Sequence, residues 1–101
     1  MYEEMPASIR VKECYLEGAH PDMSEHACRV LSCEPTEDDI TLLLLDAELS
    51  AISLDSIYHC RIGEEEPVYA TLTFYRRYLN KQGHVICARI NDGFTKKPKA
   101  C

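Results

Sequence analysis

Apolar and polar residues alternate with a period of two through most of this chain, and no stretch carries a helical stripe, so the sequence is committed to strands. "SIRVKECYL" (8–16) sets Ile9 and Val11 against Arg10 and Lys12. "ACRVLS" (27–32), "ITLLLL" (40–45) and "IYHCRI" (57–62) follow as further strand-like runs. "VYATLTFYRRYL" (68–79) and "HVICARI" (84–90) then flank "NKQG". Val68, Ala70, Leu72 and Phe74 share one face of the first of these runs, and Ile86, Ala88 and Ile90 share one face of the second. Two alternating runs joined by a short loop containing Gly predict a β-hairpin. Six short strands with few helical signals restrict the chain to a small barrel or a sandwich. Closure removes the exposed edges that six separate strands would leave, so an all-β, six-stranded antiparallel barrel is predicted.

"ITLLLL" is too short for a helix and predicts a strand buried on both faces. The stretch "DAELSAISLDS" (46–56) fits a helical turn or an irregular extended connection. A chain of 101 residues suffices for one domain. That domain is predicted to span 1–101, with a loose N-terminus over 1–6 and a frayed tail over 95–101.

The formal net charge of −6 argues against binding a nucleic-acid polymer, which needs a basic footprint, and against docking on anionic lipid. No apolar run approaches the length of a membrane-spanning helix. The N-terminal "MYEEMPASIR" lacks the basic-then-apolar order of a signal peptide, which predicts a cytoplasmic protein. In that setting the six cysteines, Cys14, Cys28, Cys33, Cys60, Cys87 and Cys101, are expected as reduced thiols acting as small hydrophobes.

Catalytic signatures are sparse. Asp22, Ser24 and His26 are close in "PDMSEHA", but closeness in sequence does not make a triad, and no nucleophile elbow, phosphate loop or HExxH is present. His20, His26, Cys28 and Cys33 are the right residue types for zinc, but their spacing fits no closed zinc site. Strand alternation would also place Cys28 and Cys33 on opposite faces. The expectation is a protein that is not an enzyme and carries no cofactor or metal. Arg76 and Arg77 lie between Tyr75 and Tyr78; such a cluster can hold a phosphate or carboxylate, or can be a solvated face with guanidinium groups over tyrosines.

In strand order, size and closing pattern the chain resembles the PilZ domain family, a bacterial signalling family. The resemblance is carried by "SLDSIYHCRI", "VYATLTFYRRYLNKQGHVICARI" and "NDGF" and extends over about residues 9 to 95. It implies a six-stranded antiparallel barrel. Typical members bind cyclic di-GMP through RxxxR in an N-terminal loop and [DN]xSxxG at the start of a later strand. The second motif, laid at the entrance to "ITLLLL", puts Glu34, Thr36 and Asp39 where the family has Asp or Asn, Ser and Gly. The first motif, 24 residues upstream, puts Arg10 and Cys14 where it has two arginines. A rival placement at Asp22, Ser24 and Ala27 leaves too little chain before it for the arginine loop.

The spacing survives in this chain and the chemistry mostly does not. Cys14 offers neither a bidentate donor nor a plane for stacking. Asp39 brings a side chain and a charge where the family's Gly lets backbone approach the ligand. A carboxylate ~6 Å from a phosphodiester repels it by roughly 3 kcal/mol at an effective dielectric near 20, about 100-fold in affinity. Glu37 and Asp38 add to the repulsion. The expectation is a PilZ-like regulatory module that has lost cyclic di-GMP and works through a protein partner. Its candidate contact surfaces are the acidic loop at Glu37 and Asp38 and the strand Tyr75, Arg76, Arg77 and Tyr78. The alternatives are a cyclic di-GMP receptor using Arg10 with Arg76 or Arg77, and a small enzyme or metal protein built on His and Cys.

Overall fold

The computed structural model describes residues 2–13, 25–46, 52, 54 and 56–96. The strands are β1 (Pro6–Glu13), β2 (His26–Glu34), β3 (Asp39–Leu44), β4 (Ile57–Ile62), β5 (Val68–Asn80) and β6 (Gly83–Ile90). They close into an antiparallel barrel, as the sequence predicts, and the strand order is β1-β2-β3-β6-β5-β4. One 3-10 turn, Pro35–Glu37, links β2 to β3.

The interior is filled from every strand. Ile9, Val30, Ile40, Leu42, Tyr58, Ile62, Leu72, Phe74 and Ile86 are all inaccessible or nearly so. Tyr58 and Phe74 meet edge to face at 5.0 Å between ring centroids, the arrangement favoured by the ring quadrupoles. Leu42, Leu43 and Leu44 are all buried, which makes β3 the strand covered on both faces. Leu45, by contrast, lies just past the strand end and is 56% exposed, so only three of the four leucines are buried.

Three register shifts, between Val11 and Glu13, Val30 and Ser32, and Phe74 and Arg76, interrupt the simple alternation. Bulges of this kind bend a strand and increase its twist, which a small barrel needs in order to close. They also exchange the two faces. Past the β2 bulge the inward position passes to Cys33, so Cys28 and Cys33 are both buried, and the opposite-face expectation is corrected. Cys28, Cys33, Cys60 and Cys87 are buried free thiols, and three of them, Cys28, Cys33 and Cys60, sit in the main core. Burial pushes the Cys28 and Cys33 thiols up from their usual pKa.

Over the described residues, the segments 2–6 and 94–95 are held to the barrel. Over 2–6, Glu4 N donates to Val30 O and Val30 N to Met5 O, and Pro6 already belongs to β1. Tyr2 packs on Phe94, at 5.2 Å between centroids. Thr95, expected to begin the frayed tail, forms an antiparallel bridge with Tyr69. The predicted hairpin is present: Asn80 pairs with Gly83, and the Asn80 side chain accepts the Gln82 N–H at 2.8 Å. Of the stretch 46–56, Ile52 is buried in the core and Leu54 packs against it; the helical or extended alternative falls mainly outside the described residues.

Candidate functional site

The acidic turn follows from its sequence. Pro35 starts the 3-10 turn, and Asp38 ends it in the left-handed conformation, φ 53° and ψ 38°. Asp38 N donates to Pro35 O, and Asp38 O accepts from Ile90 N at 2.7 Å. The family-like alignment expects its special backbone position at Asp39, but Asp39 is ordinary strand, paired with Glu34 on one side and Arg89 on the other. Asp tolerates the left-handed region and a β-branched residue does not. Asp38→Val is therefore expected to cost about 1–2 kcal/mol in urea unfolding, with Asp38→Asn close to neutral. Equal midpoints for the two variants would show that the turn is not held in this conformation.

Tyr75 ties this turn to β5. Its hydroxyl donates to Asp39 Oδ1 at 2.5 Å. β6 lies between β5 and β3, so the bond crosses the outer face of β6. The bond to Asp39, with burial second, pushes the Tyr75 phenol up to about 12. The β5 bulge sorts the neighbouring side chains. Continued alternation from Phe74 would send Arg76 and Tyr78 inward. Past the bulge they pair with Cys87 and Val85 on the outer wall, and the Arg76 guanidinium stacks 4.7 Å from the Tyr78 ring centroid. Arg77 pairs with the buried Ile86 and donates to the Ile52 carbonyl. Tyr75 alone thus reaches the acidic turn; Arg76 and Tyr78 continue along the same outer face in the rows of Thr41 and Leu43, away from Glu37 and Asp38, and Arg77 turns away from them.

The residues laid on the two ligand motifs are not brought together. Ile9 pairs with His26, so Arg10 lies at the His26 end of β2, while Glu34, Thr36 and Asp39 lie at the other end. The eight steps from His26 to Glu34 span roughly 25 Å at ~3.3 Å per residue. Cys14 falls outside the described residues. Arg10 does not meet Arg76 or Arg77 either. It shares a row with His59 and Thr71, and Arg76 is five positions further along β5, roughly 15 Å.

Arg10 instead lines a groove that the sequence did not reveal. Ser8, Arg10, Glu25, His59, Arg61, Tyr69 and Thr71 border a cavity of about 240 Å³ on the outer wall of β1, β4 and β5. Arg61 reaches Glu25 at 3.8 Å, and Thr71 Oγ1 donates to Asp92 Oδ2 at 3.2 Å.

His26 is buried with Nδ1 3.3 Å from Asp46 Oδ1, and Asp46 Oδ2 accepts the Ala27 N–H at 2.8 Å. His26 therefore braces the start of β2 against the end of β3. Asp22, Ser24 and His20 lie outside the described residues, and no group of three or more His, Cys, Asp or Glu among those described is placed to hold a metal ion. No described helix is long and apolar enough to cross a membrane.

These features define a small closed antiparallel β-barrel with two distinct polar walls. Compared with protein-family models, curated proteins and solved structures, the chain matches none.

Proposed function

We propose that this barrel is a non-enzymatic, PilZ-like regulatory module that works in the cytoplasm through a protein partner and does not bind cyclic di-GMP. The observation that carries the reading is the Tyr75–Asp39 bond. It joins the acidic turn and the tyrosine strand into one surface, with Glu37 and Asp38 exposed and Tyr75 half exposed. Carboxylates at a turn beside a rigid aromatic suit a basic protein segment: the charges speed encounter and the ring supplies contact area. Two features support loss of the nucleotide. Arg10 stands roughly 25 Å from the turn, and the turn presents carboxylates to any phosphate.

The test has two arms. Cyclic di-GMP titrated to high micromolar concentration is expected to give no heat with the folded protein. Immobilised protein is expected to capture a basic partner that Glu34→Lys/Glu37→Lys fails to capture. Saturable nucleotide binding that Arg10→Ala abolishes would overturn the first half. An unchanged partner set after charge reversal would overturn the second.

A further inference from the structure

We propose that the outer wall of β1, β4 and β5 is a binding site for a compact small molecule bearing one oxyanion, a phosphate monoester or a carboxylate. The two surfaces share β5 but use different parts of it: this site takes Tyr69 and Thr71 where β5 pairs with β4, and the protein-contact surface takes Tyr75 beyond them on the β6 side.

The strand registers build the site. Arg10 pairs with His59, and His59 with Thr71; Ser8 pairs with Arg61, and Arg61 with Tyr69. Their chain neighbours Ile9, Tyr58, Cys60, Ile62, Ala70 and Leu72 are buried in the barrel, so the six polar residues lie on its outer wall, where five are accessible and Thr71 is buried and bonded to Asp92. They form two rows of three, with rows ~7 Å apart and strands ~4.8 Å apart. Arg10 and Arg61 occupy a diagonal, roughly 8 Å between Cα atoms. Two guanidinium groups on long side chains at that separation can converge on one tetrahedral or planar oxyanion, each offering a fork of N–H donors. Ser8 and Tyr69 supply hydroxyls in the row of Arg61, and His59 lies beside Arg10.

Charge singles this wall out. The chain has 17 acidic and 11 Lys and Arg residues, but the six-residue grid contains two arginines, a histidine and no acid. Two acids stand at the rim: Glu25 reaches Arg61 at 3.8 Å, near the limit of an ion pair, and Asp92 accepts from Thr71 at 3.2 Å. Among the described residues, no ion pair is made by Arg10. A basic patch held in a rigid sheet on an acidic protein attracts a small anion locally, while the overall charge of −6 repels polyanions. The size of the ligand follows from the cavity. About 240 Å³ falls below the ~300 Å³ at which pockets for drug-sized ligands begin, enough for one oxyanion on a small organic body.

The site can be tested by ¹H–¹⁵N NMR titration of the full chain with inorganic phosphate, glycerol 3-phosphate and lactate. Saturable shifts are expected at residues 8–10, 59–61 and 69–71 with at least one probe. The tighter of glycerol 3-phosphate and lactate assigns phosphate or carboxylate as the natural group. Arg10→Ala and Arg61→Ala are each expected to weaken binding at least tenfold, and Lys81→Ala at the β5–β6 turn to leave it unchanged. The exposed positions of Arg10 and Arg61 keep folding out of the result. No saturable shifts with any probe, or equal weakening by Lys81→Ala, would overturn the proposal. Tighter binding of a cyclic dinucleotide than of every small probe would overturn the size assignment.

Discussion

Phe74→Ala is expected to destabilise the barrel by about 3–5 kcal/mol, read as a fall in the urea midpoint with the slope unchanged. Phe74 is fully buried and packs edge to face on Tyr58, so truncation loses transfer energy and leaves a cavity, and it removes an aromatic pair worth about 1 kcal/mol. Its cross-strand partner on β6 is Ala88, which cannot fill the space. Phe74 is also the last residue before the β5 bulge, so its anchorage fixes where the strand changes face. Domains of this size are stable by about 5–15 kcal/mol, so the variant should be marginal. Phe74→Leu retains much of the volume and should cost less than half as much. A loss below 1 kcal/mol for Phe74→Ala would mean that the ring does not form the centre of this core.

The strands were legible because a half-buried strand leaves a period-two mark on its own residues, and each run carried it. Closure was legible only as a general preference for hidden edges. The bulges were not legible, because an inserted residue such as Leu31 or Tyr75 looks like any other member of its strand. That is why Cys28 and Cys33 were expected on opposite faces. The acidic segment was recognisable as a turn from Pro35 and its carboxylates, but its bond to Tyr75 depends on β3 and β5 flanking β6. The groove was hidden for a similar reason. His59, Arg61, Tyr69 and Thr71 are each the ordinary outward residue of an alternating strand. They become a site beside Arg10 only once β1 pairs with β4, a contact between segments some fifty residues apart in sequence. Laying a two-motif pattern on Arg10 and Glu34 counted residues correctly and still placed them at opposite ends of β2.

The buried thiols predict a loss of stability at alkaline pH. Cys60 is in the core, and burial pushes its thiol up to about 12, from an ordinary value of 9.0. An unfolded chain releases this proton near 9.0, while the folded chain holds it until about 12. Between those values the folded state binds more protons than the unfolded state, so stability falls as pH rises; below about 9 the contribution is fully present. A three-unit difference corresponds to about 4 kcal/mol across the window, an upper figure for one thiol. Cys28 and Cys33 are raised in the same direction by burial, and Tyr75 adds to the loss between 10 and about 12. Urea midpoints are therefore expected to be flat with respect to these groups to pH 8 and to fall steeply towards pH 11. Cys60→Ala should lower the midpoint at pH 8 through lost packing and make the alkaline slope shallower; Tyr75→Phe should flatten only the part above pH 10. An unchanged slope in Cys60→Ala would show that the thiol reaches solvent in the folded protein. The same physics explains why three sulfurs in one core need not make a reactive centre: the thiolate is the reactive form, and this interior suppresses it at neutral pH.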